Sequence, residues 1–474
     1  MIKRESGDDL RKKTGDYELR NKTKKLSILE ASFFSVHDGL GIRYITPFAL
    51  AIGKNNSHIN LFVGLLSSLP SLIGNLSQLY TTNLIKKYKR KKILFTGTII
   101  QAFLWFGVIF SGSLFFLFKA SSTLSLIFLT TFYTMLVLAG AFVVPAWASL
   151  MKDIVIKNRG NYFGRRNMIA GFIAVLSSLL AGFFLDQLSI NKIFIGFFIL
   201  FSIAFVFRIT SGILFLSHYE PKIKIKKSDY FSFLDFLKRS RKSNFAKFSL
   251  FISFFILSTY MAGPFFTVYM LKNLNFSYMK WTALIVIGSA STIFFMPLWG
   301  RFADKYGSIK TLKITGLLIP IVPIIWMATY FFDSSSSVLF LFLCFVEFFA
   351  GYLWAGFNLS YSNFIYDAVT REKTSLCSAY FNVLHGLGIF LGSVTGGLLL
   401  SYDFKFLGLS AFLSLFLISG IMRFFSYAIM IPKIKEIREV RTFRLKSSLK
   451  TTFNSIGKIN GGFNGVFNNK HNRI

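Results

Sequence analysis

Twelve stretches of the chain are apolar with only isolated polar interruptions, at 28–53, 60–85, 93–118, 124–150, 167–189, 193–218, 247–271, 281–299, 314–332, 338–365, 377–401 and 407–431. A helix that crosses a bilayer needs about 20 such residues at a rise of about 1.5 Å each, so each stretch predicts one spanning helix. Strands are the wrong reading. A membrane barrel shows segments of about ten residues that alternate polar and apolar, and these runs do not alternate. The pattern predicts an all-α polytopic membrane protein with twelve transmembrane helices.

Composition agrees. Of 474 residues, 53% are hydrophobic, only 16% are charged, and 60 are phenylalanine; mean hydropathy is +0.55. A water-soluble core does not need that much apolar surface, whereas a bilayer does, because side chains facing lipid must be apolar too. The formal charge of +34 raises nucleic acid as a partner, but its distribution argues against one. With the N-terminus placed in the cytoplasm, 45 lysines and arginines fall in the cytoplasmic segments and six, Lys54, Lys119, Lys192, Lys272, Lys280 and Lys405, on the opposite side. That asymmetry is the positive-inside rule. It places both termini inside, agrees with an even number of spans, and makes anionic head groups, not nucleic acid, the partner of the basic loops and tail. No cleavable signal peptide is expected, because residues 1–27 carry charges of both signs and the first apolar run holds Glu30, His37, Asp38 and Arg43. Cys344 and Cys377 fall in different spans and suggest neither a disulfide nor a metal site.

The two halves of the chain repeat one another. Pro47 in span one has a counterpart in Pro264 in span seven, Asp153 after span four in Asp367 after span ten, and Arg208 in span six in Arg423 in span twelve, at offsets of 214 to 217 residues. Glycines crowd spans five and eleven alike. Steady offsets at matching positions predict a duplicated six-helix unit. The expected organisation is an N-terminal segment (1–27), a first bundle (28–219), a basic linker (220–246), a second bundle (247–431) and a basic tail (432–474). In the linker, Ser228 and Asp229 would cap a short surface helix. In the tail, Ile434, Ile437 and Val440 recur at helical spacing, as in a segment lying on lipid. Two pseudo-symmetric bundles with a common orientation leave a cavity between them, and alternating access by rocking follows.

After span eight the chain reads Gly300-Arg301-Phe302-Ala303-Asp304-Lys305-Tyr306-Gly307-Ser308-Ile309-Lys310. This resembles the signature loop of the major facilitator superfamily (MFS). Gly300, Ala303, Asp304, Lys305 and Gly307 match, Ser308 and Ile309 depart, and Lys310 can substitute. The equivalent first-half loop, Lys86 to Lys92, keeps the charge but lacks the glycines and the aspartate, while Asp153 and Arg159 resemble the family's loop after span four. Two glycines would let the loop turn tightly. Asp304 could accept from free amides near Thr374 and Ser375, where the helix dipole is positive, with Arg371 joining. The resemblance implies secondary transport and makes that contact an inner gate.

Ionisable groups inside spans are costly and are site candidates by default. Glu347 is placed near mid-membrane among Phe345, Val346, Phe348 and Phe349, which would desolvate it and suit it to proton exchange. Span one supplies His37, Asp38 and Arg43. Asp38 and Arg43 stand five apart, off a common helix face, so each calls for a partner on another helix, whereas Glu30 and His37 share a face. Asn75, Gln78, Tyr260, Trp354, Asn358 and His385 complete a mixed polar and aromatic set suited to an amphipathic or neutral solute. Arg208 and Arg423 read as structural arginines reaching toward the inner head groups. Asp186 and Asp403 merely end their spans.

The function expected is proton-coupled secondary transport of a small solute by alternating access, as a monomer in the plasma membrane, with no cofactor and no metal. Two alternatives stand beside it. A drug or metabolite efflux antiporter of the same superfamily is disfavoured because Gly263-Pro264 lies in span seven and span five lacks that pairing. A polytopic enzyme acting on lipid needs clustered histidines or paired carboxylates, and here they are scattered singly.

Overall fold

The structure, a computed structural model, describes residues 7–156, 158–221, 243–369 and 374–440. Span one is α1 (Gly7–Leu40), a 3₁₀ turn (Ile42–Tyr44) and α2 (Ile45–Ile52). Spans two to six are α3 (Ile59–Lys87), α4 (Arg90–Phe116), α5 (Ser122–Ile154), α6 (Arg159–Asp186) and α7 (Ile193–Leu216). Spans seven and eight are α8 (Asn244–Val268) and α9 (Tyr278–Tyr306). Span nine is split into α10 (Ser308–Leu318) and α11 (Ile321–Trp326), and α12 (Ser337–Ala368), α13 (Thr374–Ser401) and α14 (Ala411–Met430) finish the set.

Eleven helices among the described residues are long and apolar enough to cross a membrane unaided. The twelfth, span one, is interrupted. Gly39 and Gly41, with the lowest helix propensity after proline, lie at the break, where Gly41 has φ −102° and ψ −76°. Pro320 interrupts span nine in the same way, because it cannot donate to the helix ladder. Phe103, Phe172 and Phe294, at 54%, 67% and 73% exposed, point outward from the bundle, as lipid-facing side chains must.

The pairing of helices in the first half recurs in the second. α1 packs on α6 and α7, α3 and α4 pack on α5, and α4 packs on α7. Correspondingly α8 packs on α13 and α14, α9 and α10 pack on α12, and α10 and α11 pack on α14. Two seams join the halves, α3 against α13 and α6 against α9, and one is the pseudo-symmetric image of the other. This is the duplicated six-helix unit that the offsets predicted.

The loops that end near residues 88, 156, 220, 307 and 369 share one face with the C-terminal strap and the start of α1, here the terminal face. Two expectations about it change. Residues 434–440 form no helix, and Ile434, with an extended backbone, is buried. Gly300 lies within α9, so of the two motif glycines only Gly307, with φ +93°, makes the turn. The linker helix expected after Ser228 and the tail beyond Val440 lie outside the described residues.

Candidate functional site

A cavity of about 720 Å³ lies between the halves, walled by α1, α3, α4, α5, α6 and α7 on one side and by α13 on the other. Asn382 and His385 also line a smaller space of about 280 Å³ between α12 and α13, with Tyr361 and Ser378, so the two are lobes sharing a wall. The cavity reaches the level of Glu30, Trp147 and Arg166, toward the terminal face.

At the opposite, far face the seams are shut. The Tyr44 hydroxyl sits 2.7 Å from the carbonyl of Ser178 on α6, to which it donates, and 2.8 Å from the Thr282 hydroxyl on α9. Both oxygens of Asp186, at the end of α6, accept from the first amides of α9, Tyr278 N at 2.8 Å and Met279 N at 2.9 Å. Asp186 thus caps a helix of the other half at its positive end, a role the sequence did not reveal. On the second seam the backbones touch. A Cβ added at Gly64 would stand 2.5 Å from Ser393 O, and one at Gly397 would stand 2.9 Å from Asn60 O.

Asp38 and Arg43 lie near the closed end and correct an expectation. They pair with each other, Arg43 Nε to Asp38 Oδ2 at 3.3 Å. The geometry of a continuous helix forbids this, but the break at Gly41 turns Arg43 back over the end of α1. His37 does not line the cavity. It is fully buried against Trp105 and Phe34, with ring centroids at 5.5 and 5.6 Å, and neither ring nitrogen has a hydrogen-bond partner.

The charged groups that do line the cavity are Glu30, Arg166 and Arg208. Arg166 Nη2 donates to Glu30 Oε2 at 3.2 Å, and the Ser211 hydroxyl donates to Glu30 Oε1 at 3.1 Å. Arg208 Nη1 donates to that hydroxyl at 3.1 Å and Nε donates to Gln101 Oε1 at 2.7 Å. Arg208 is 3% exposed and Arg423 is 2% exposed. Neither reaches for head groups, because the bundle interior supplies acceptors and an unpaired buried guanidinium would be costly. Arg423 is held by Ser419 Oγ at 3.2 Å and Thr259 O at 3.3 Å.

Of the other candidates, Asn75 and His385 line the cavity. Glu347, Tyr260, Trp354 and Asn358 do not. Glu347 lies inside the second bundle, where its carboxyl faces the Trp326 indole and a Cβ at Gly288 would meet Oε2 at 3.1 Å. Trp354 packs on Phe357 and Phe255 with centroids at 5.4 and 6.4 Å, and the Asn358 carbonyl accepts from Ser362. The Gln78 side chain lies outside what is described. Glu30, Arg166, Gln101 and Asn382 are cavity residues that sequence reasoning did not select; a polar side chain inside an apolar span was the available signal.

The terminal face carries two matched ion clusters. In the first half, Arg90, with no exposed side-chain surface, donates to Asp153 Oδ2 at 2.6 Å and pairs with Glu220 Oε1 at 3.4 Å. Glu220 Oε1 also accepts from the Arg90 amide at 2.8 Å, at the start of α4. In the second, Glu436, 216 residues on, accepts from Ile309 N at 2.9 Å at the start of α10, and Arg438 Nε meets Asp367 Oδ2 at 3.0 Å. Asp304 is 77% exposed and its carboxylate stands 3.8 Å from Arg438 Nη1. Its partner is therefore the C-terminal strap. Arg371 lies outside the described residues, Arg301 is exposed on α9, and Arg159 opens α6.

Two six-helix bundles related by a pseudo-twofold, shut at one face around a polar cavity that lies toward the other, define an alternating-access carrier. The sequence profile of the Major Facilitator Superfamily matches residues 33–393, and the chain belongs to that family. It is thus a multi-pass secondary transporter of small solutes, not an enzyme. No curated protein matches it by sequence. Among solved structures it is similar to a bacterial homologue of the iron transporter ferroportin in its inward-facing state, with 12% identity and a TM-score of 0.67 over 87% of this chain and 98% of that one. The outward-facing form of such a homologue gives 0.58 at 12% identity over 86% and 98%. The nucleoside transporter NupG gives 0.60 at 16% identity over 88% and 100%.

Proposed function

We propose that this chain moves a small solute across the plasma membrane by rocking its two bundles, residues 28–219 and 247–431, with both termini in the cytoplasm. The observation that carries the reading is the asymmetry of the seams, closed by Tyr44, Asp186, Gly64 and Gly397 at the far face, with the cavity lying toward the terminal face. The 45-to-6 distribution of lysine and arginine supports the orientation. On this reading the conformation is inward-facing, in keeping with the better overlay on the inward-facing ferroportin homologue. Asp304 and the motif ending at Lys310 belong to the gate that closes when the bundles rock the other way.

The coupling ion in this reading is the proton, and Glu347 its carrier. Among the described residues Glu347 makes no ion pair, and a carboxylate without a counter-cation in the membrane interior can pass between charged and neutral forms. The test is a solute screen in proteoliposomes with an imposed pH gradient. Wild-type protein should accumulate its solute in response to the gradient. Glu347→Gln should still exchange solute across the membrane at equilibrium but no longer respond to the gradient. Unaltered pH dependence in that variant removes Glu347 from the coupling.

A further inference from the structure

The charges lining the cavity do not balance. One carboxylate, Glu30, faces two guanidinium groups, Arg166 and Arg208. Asp38 and Arg43 neutralise each other nearer the closed end. The wall supplied by the second half, Asn382, His385 and Ile389, holds no acid. The pairing is also shared unevenly. Arg166 bonds Glu30 directly, while Arg208 reaches it only through the Ser211 hydroxyl and otherwise relies on neutral Gln101. Each guanidinium lies over an aromatic ring, Arg166 over Trp147 at 4.4 Å and Arg208 over Phe34 at 4.9 Å. Such stacking holds the planar cations in place without neutralising them. A surplus positive charge in a low-dielectric site is costly until an anion joins it.

We propose that the transported solute is a small organic monoanion with an apolar body. This rests on the carrier reading and names its substrate class. The anionic group sits between Arg166 and Arg208, competing with Glu30 for their donors, and planar guanidinium groups suit a carboxylate in particular. The body lies against Pro70, Val137, Val143, Trp147 and Ile389, the apolar part of the wall.

The experiment measures thermal stabilisation of the purified full chain by benzoate, benzamide and benzylammonium, three probes of one shape and different charge. Benzoate alone is expected to raise the melting temperature. Arg166→Gln should weaken benzoate about tenfold, the loss of one charge-assisted pair, and Arg208→Lys should retain it. Glu30→Gln should tighten benzoate about fivefold, since it removes the competing carboxylate. A purely structural Glu30 would lower the melting temperature without that gain. No stabilisation by benzoate, or stabilisation by benzamide or benzylammonium to the same degree, overturns the proposal. So does binding of lysophosphatidylglycerol without binding of benzoate, which would make the anion a lipid. Because binding is read at equilibrium, benzoate bound but never exchanged into liposomes would defeat the carrier reading, and with it the anion's role as cargo, while leaving the anion site between Arg166 and Arg208 in place. Exchange of benzamide with no binding of benzoate would defeat this inference alone.

Discussion

Asp186 shows how one carboxylate can report a conformation. Its two hydrogen bonds go to amides of α9, in the other half of the molecule, so they exist only while the far face is shut. Losing a cap costs about 1 kcal/mol, enough for about a fivefold shift between two states. Asp186→Ala should therefore raise the far-face-open population, read as faster thiol labelling of a cysteine placed near Tyr278. His218, just past α7, offers a pH signature. It is buried beside Lys91 and Arg166, and burial first, then those cations, hold its pKa below the usual 6.5. The unfolded chain binds the proton first, so stability is complete above pH 6.5 and declines as pH falls through that value. His218→Gln should flatten the loss of melting temperature between about pH 7 and 5. Residue types inside the spans were legible from sequence; their partners were not. Asp38 and Arg43 looked mismatched because helical spacing was assumed across Gly41.

At the scale of elements, the apolar runs located every span, and the interruptions at Gly41 and Pro320 came from residues visible in the chain. Which helices touch was hidden, since a lipid-facing and a protein-facing stripe are both apolar in a membrane protein. The α3–α13 seam depends on glycine at the contact. Gly397→Val would drive Cβ toward Asn60 O, which lies 2.9 Å from its ideal position. Overpacking of this kind costs about 1–3 kcal/mol, and it falls on the far-closed state. The variant should label at the far face like an outward-facing carrier and turn over slowly, while its melting temperature changes little.

For the whole molecule, the repeat makes a prediction that neither half makes alone. Glu220 and Glu436 each tie the end of a bundle to the start of its third span, through clusters that share no residue. Hydrogen bonds to charged groups contribute about 1.5–3 kcal/mol apiece. Glu220→Gln and Glu436→Gln should each lower the melting temperature by a few degrees, and the double variant should show the sum, as expected of independent sites. A double variant no worse than either single would mean that the clusters are coupled through one unit. The sequence by itself determined the class of solvent, the number of spans, the duplication and the family motif, because these follow from composition, run length and spacing. Only the tertiary structure decided that Glu30, Arg166 and Arg208 meet at the cavity while His37 and Glu347 do not, and that Asp304 meets the C-terminal strap. Those facts depend on how each helix is rotated and which one it faces, and long-range packing sets both.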